Sequence, residues 1–128
     1  MNTDKGKKYK HQELTSKILS CAFEVHNTLG CGFLEKVYER AMILELQANG
    51  LSIETQKPIK ITYKGKDVGN YIADIIVENK VIVELKTAEF LTKIHKAQLL
   101  NYLRATGYEV GLILNFARPK LEYKRVVV

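Results

Sequence analysis

The chain has 128 residues, 46% of them hydrophobic and 27% charged, with a formal charge of +6. That length supports one domain with a real core and is short for two. Two cysteines without a C-x-x-C pair and three scattered histidines exclude a disulfide framework and the common zinc patterns, and no apolar run approaches the roughly 18 residues needed to cross a bilayer.

The N-terminus carries Lys5, Lys7, Lys8 and Lys10 against Asp4. No apolar segment of signal-peptide type follows these lysines, so a soluble, cytoplasmic protein that avoids membranes is expected. Residues 1–12 read as a basic flexible tail, and 13–128 as a single domain. A second basic cluster, Arg118, Lys120, Lys124 and Arg125 against Glu122, lies near the C-terminus, while residues 11–117 balance at 12 basic and 12 acidic side chains. Net charge alone is therefore weak support for a nucleic-acid partner.

Leu14, Ile18, Ala22, Val25 and Leu29 recur at helical spacing and predict a helix over about 13–29, ended by Gly30-Cys31-Gly32. A second helix is predicted over Phe33–Asn49, with Leu34, Val37, Tyr38, Ala41, Leu44 and Ala48 on its buried face. Both cysteines are expected to be small buried thiols. Lys57 to Tyr63 reads as a strand opened by Pro58, where a missing N–H is tolerated, and Lys64-Gly65-Lys66-Asp67 as a turn. Strands follow at 69–77 and 81–86, then a helix at 92–105 closed by Gly107. A buried strand over Tyr108–Phe116 and a short one over 121–127 complete the chain. A helix between the third and fourth strands requires a crossover and a parallel pairing, so the expectation is an α/β fold with a central mixed sheet.

Asp74 lies within Tyr-Ile-Ala-Asp-Ile-Ile-Val, and Glu84 and Lys86 within Val-Ile-Val-Glu-Leu-Lys. Charged residues are depleted in such strands, and burying them unpaired costs several kcal/mol, order of magnitude. Glu84 and Lys86 share a face because they are two apart. A two-residue loop at Asn79-Lys80 would put Asp74 opposite Leu85. A three-residue loop, Glu78-Asn79-Lys80, would set Asp74 across from Glu84, with Ile76, Ile82 and Lys86 on the same face. Only the second register, or a bulge restoring it, makes a metal site. Two such carboxylates suit Mg²⁺ or Mn²⁺, with Lys86 orienting water or phosphate. A cross-strand ion pair would account for the residue types equally well.

Asp74, a spacer, then Glu84-x-Lys86 resembles the PD-(D/E)XK nuclease superfamily, with Ala73 in place of the namesake proline. Gly32-x-x-Glu35-x-x-Tyr38, preceded by Glu24-Val25-His26 and Leu29-Gly30, is similar to the GxxExxY family of that superfamily, over about residues 13–126. The resemblance implies a restriction-endonuclease-like core and metal-dependent phosphodiester hydrolysis, of DNA before RNA, in repair, recombination or defence. It implies Asp74, Glu84 and Lys86 as catalytic residues, with Glu35, Asp74 and Glu84 as ligands of Mg²⁺ or Mn²⁺. Gln98, Tyr102 and Tyr38 would be auxiliary. From residue type alone, Glu35 reads as a solvated helix charge, His26 as a packing histidine, and His95 as exposed near a helix start where a phosphate could reach it. A non-catalytic nucleic-acid- or protein-binding member of the same fold is the alternative, and a resolvase-like homodimer spanning a duplex would reconcile the two.

Overall fold

The computed structural model describes residues 10–128; the greater part of the expected N-terminal tail lies outside the described residues. Eight elements follow in chain order: α1 (Gln12–Leu29), α2 (Glu35–Ala48), β1 (Ile53–Tyr63), β2 (Lys66–Val77), β3 (Val81–Lys86), α3 (Lys93–Thr106), β4 (Val110–Asn115) and β5 (Glu122–Val127). The strands form one sheet in the order β1-β2-β3-β4-β5. Only β3 and β4 run parallel, and the other neighbours are antiparallel. The α3 crossover between β3 and β4 thus produces the expected mixed sheet.

The sheet separates two apolar clusters. On one side Ile18, Ala22, Tyr38, Met42 and Leu46 of α1 and α2 pack on Val81, Val83, Leu85, Leu112 and Leu114. On the other, Leu99 and Leu103 of α3 pack on Ala73, Ile76, Ile82 and Ile113. Every residue of β4 is buried, since both its faces are covered. Each fully buried Leu or Ile side chain in these layers contributes about 1.5–3 kcal/mol. Gly111 lets α3 lie close: a Cβ there would sit 2.8 Å from Leu99 Cδ2.

Several details depart from the sequence expectation. β1 begins four residues earlier than predicted, so Pro58 sits inside the strand, paired with Ile72. β1 is an edge strand, which is why the missing N–H does no harm there. The buried stripe of α2 is Tyr38, Glu39, Met42 and Leu46, whereas Leu34 is 79% and Leu44 70% exposed. Cys21 is buried as expected, but Cys31 is exposed in the α1–α2 loop. His26 is a packing histidine, as its residue type suggested. It lies stacked near Phe116 and bonds the Arg118 carbonyl through Nε2 at 2.8 Å.

The three-residue turn between β2 and β3 is the one formed. Val77 pairs with Val81 and Ile75 with Val83. Glu78 and Asn79 both have left-handed backbones, φ 53° and 52°, although neither is glycine. Ser52 secures them: its carbonyl accepts the Glu78 N–H at 2.8 Å, and its own N–H donates to the Glu78 carboxylate at 3.1 Å.

Candidate active site

Asp74 stands where β2 parts from both neighbours. Toward β1, Thr55 pairs with Ile75 and Lys57 with Ala73, but Gln56 and Asp74 between them do not pair. Gln56 has φ 49°, left-handed backbone in the middle of a strand. The two strands exchange faces at this point. Ile53, Ile75 and Val77 pack with α1 and α2, whereas Ile59, Ile61, Tyr71 and Ala73 pack on the α3 side. Toward β3 the ladder stops at Ile75–Val83, and the Asp74 side chain takes over, its Oδ2 accepting the Leu85 N–H at 3.0 Å.

This arrangement brings Asp74 and Glu84 together. The Glu84 carboxyl is pushed up to about 8, first by burial and then by the charge of Asp74, with hydrogen bonding between the two carboxyls adding to the rise. Tyr71 donates its hydroxyl to Glu84 Oε1, and Lys86 acts on Glu84 in the opposing direction through its charge. Burial and the neighbouring Glu84 charge raise the Tyr71 phenol well above its ordinary value, so it stays a donor.

Glu84 and Lys86 open onto a cleft of about 230 Å³, framed by Asn70, Tyr71 and Ile72 on β2 and by His95, Gln98 and Tyr102 on α3. Tyr71 and Tyr102 stack with ring centroids 3.8 Å apart at 12°. Gln98 donates to the Tyr102 hydroxyl at 3.2 Å. His95 closes a capping box with Thr92, whose N–H donates to His95 Nδ1 at 3.1 Å. That bond leaves Nε2 to carry the proton.

Glu35 heads α2 and is exposed. Partial desolvation, then the Asp74 charge, raises its carboxyl, while Lys86 acts the other way. Glu35 therefore shares an electrostatic neighbourhood with Asp74 and Lys86. Tyr38 is not brought into the cleft. It is fully buried and stacked on Phe116 at 4.7 Å. Its hydroxyl donates to the Gly30 carbonyl at 2.6 Å and receives the Phe33 N–H at 3.3 Å. It fixes the loop that launches α2, and so acts on Glu35 from a distance.

Three neighbours of the site are not evident in the sequence. Tyr71 reads there as an isolated aromatic. Gln56 donates to Glu39 at 2.9 Å and makes a long 3.5 Å contact to Asp74 Oδ1. Glu39 is 7% exposed and also receives Lys36 at 3.3 Å. Only the periodicity of α2 hints at Glu39, four residues beyond Glu35 and hence on the same helix face.

Among the described residues, no three or more His, Cys, Asp or Glu side chains converge as a ready-made metal cage. The donor set fits a hard ion nonetheless. Two carboxyls held together with one forced toward its neutral form call for either a proton or a cation. Mg²⁺ commonly takes one or two protein carboxylates and fills its shell with water and phosphate. No described helix is long and apolar enough to cross a membrane.

Comparison with known proteins bears on the fold and the family. A solved structure described as "Crystal structure of SSO0001" superposes with a TM-score of 0.58 at 22% identity, covering 94% of this chain. The likeness shows the fold, a restriction-endonuclease-like α/β architecture, and this chain spans 60% of the length of that one. No curated protein matches. The family model of the PD-(D/E)XK nuclease superfamily matches residues 12–126. The chain belongs to that superfamily.

Proposed function

We propose that the protein is a metal-dependent nuclease that hydrolyses phosphodiester bonds, of DNA before RNA, and that it stands in the GxxExxY branch of its superfamily. The observation that carries this reading is the Asp74–Glu84 pair, with the Glu84 carboxyl raised to about 8 beside a cleft. A structural ion pair would lower that carboxyl instead.

In this reading Asp74 and Glu84 hold Mg²⁺ or Mn²⁺, and Glu35 joins them from α2. The ion, when bound, supplies Lewis acidity at the scissile phosphate. Lys86, beside the carboxylates, orients the phosphate or the attacking water. Gln98 and Tyr102 shape the cleft wall, and Tyr71, which donates to Glu84, would orient that carboxylate toward a bound ion. Tyr38 bonds Gly30 and Phe33, which flank the motif glycine Gly32, and so holds the loop that leads into Glu35.

Mn²⁺ titration by calorimetry and cleavage of plasmid, single-stranded DNA and RNA test the reading, with Glu84→Gln beside wild type. Metal binding and cutting that both vanish in the variant are expected. Wild type that neither binds Mn²⁺ nor cuts would leave a non-catalytic binding protein on a nuclease fold.

A further inference from the structure

The even charge of residues 11–117 conceals a division between layers. Residues 11–50, which hold α1 and α2, carry Lys17, Lys36 and Arg40 against five glutamates, a net −2. In residues 57–70, the outer half of the β1–β2 hairpin, Lys57, Lys60, Lys64 and Lys66 oppose Asp67 alone, a net +3. Residues 86–104, from the end of β3 through most of α3, carry Lys86, Lys93, Lys96 and Arg104 against Glu89, again +3. The acidic layer and the two basic segments lie on opposite sides of the sheet, because the exchange at Gln56 and Asp74 turns the outer hairpin toward α3.

We propose that a nucleic-acid backbone seats across this side, its phosphates held between the tip of the β1–β2 hairpin and the first turns of α3. The seat rests on the reading of a nucleic-acid substrate and says where that substrate lies. The cleft holding Glu84 and Lys86 is framed by the root of the hairpin and by α3, so a strand bridging the two basic segments passes over it.

The cations are available. Lys64, Lys66, Lys93 and Lys96 are exposed, whereas Lys60, between Ile59 and Ile61 on the strand, faces the other side. Among the described residues only Lys57 of the hairpin is in an ion pair, with Glu54 at 3.1 Å. The tip is stiff for its size. Lys64 and Gly65 are both left-handed, φ 48° and 77°, the two-residue turn that matches strand twist. Tyr63 pairs with Lys66 across it.

The test measures binding of full-length protein to a fluorescein-labelled DNA duplex and to one of its strands, over a range of salt. Lys64→Gln/Lys66→Gln and Lys93→Gln/Lys96→Gln should each weaken binding about tenfold and lower the slope of log K on log salt by about 1–2, the release expected for one or two phosphate contacts. KM for cleavage should rise with kcat and Mn²⁺ affinity unchanged. Lys17→Gln/Arg40→Gln, in the acidic layer, should change nothing. The preferred strand form is read from the two probes.

Full affinity in both hairpin-tip and α3 variants overturns the seat. So does a loss confined to the layer variant or to Lys120→Gln/Lys124→Gln, and so does wild type with no affinity for either probe. Protein that binds through these lysines but never cuts would defeat the hydrolytic reading and leave the seat standing.

Discussion

Asp74 Oδ2 accepts the Leu85 N–H at 3.0 Å, one position beyond the last backbone pair between β2 and β3. The carboxylate therefore does two jobs, closing a gap in the sheet and charging the site. An asparagine in its place would keep the first and lose the second, since an amide oxygen can still accept the bond. Asp74→Asn should leave stability within about 1 kcal/mol of wild type or slightly above it, while Mn²⁺ binding falls below detection. Asp74→Ala leaves the Leu85 N–H unsatisfied and should cost about 1–3 kcal/mol. Urea melts beside metal titration separate the two effects.

In the metal-free protein, Glu84 makes stability fall with pH. Its folded value of about 8 lies above the ordinary carboxyl value of 4.5, so the folded state holds the extra proton between them. The contribution is fully present below the lower value and is lost as pH rises through about 8. Urea midpoints measured across that window should decline in wild type, and Glu84→Gln should flatten this part of the decline. An unchanged slope in the variant would mean that another group titrates there.

Gln56 combines a left-handed backbone with an amide that reaches Glu39 and Asp74. Gln56→Gly removes the amide and relieves the backbone, so stability should stay near wild type. Gln56→Ala removes the amide and keeps the strain, and should be about 1 kcal/mol less stable than the Gly variant. Both should weaken Mn²⁺ binding several-fold, because Asp74 loses a neighbour that orients it. Equal affinity in all three proteins would reduce Gln56 to a turn residue.

Gly111 admits Leu99, and a methyl group there would stand 2.8 Å from Leu99 Cδ2. Gly111→Ala should cost about 1–3 kcal/mol through overpacking. Pairing it with Leu99→Val should recover part of the loss, which a double-mutant cycle measures. Leu99 also lines the cleft beside Gln98, so the single variant should depress cleavage more than its stability loss explains.

The order of elements along the chain and the α1 stripe can be read from periodicity because each is set by apolar spacing within one segment, and a helix between two strands then requires the crossover. The buried face of α2 cannot. That helix carries apolar side chains around most of its circumference, and the sheet beneath it selects Tyr38, Met42 and Leu46 over Leu34 and Leu44. The early start of β1 is hidden for a similar reason. Glu54 and Thr55 have no strand pattern of their own and extend only because β2 offers them Ile76 and Ile75 as partners. Within the site, Asp74, Glu84 and Lys86 are conspicuous as charges in apolar strands. Gln56 and Glu39 are not, since polar residues on an edge strand and a helix are ordinary until folding brings them together.

The turn of Glu78, Asn79 and Lys80 acts as a reading frame for the strands it joins. Every side chain of β3 is assigned to a helix layer by counting from that turn, so removing one residue would alter no strand sequence yet invert the whole assignment. Glu84 and Lys86 would then be driven under α1 and α2, and Leu85 would look out into the cleft. Substitutions at these three positions need only preserve the left-handed backbone at the first two, whereas a change in their number by one is forbidden. A short polar turn is in this sense the part of the hairpin least free to vary in length.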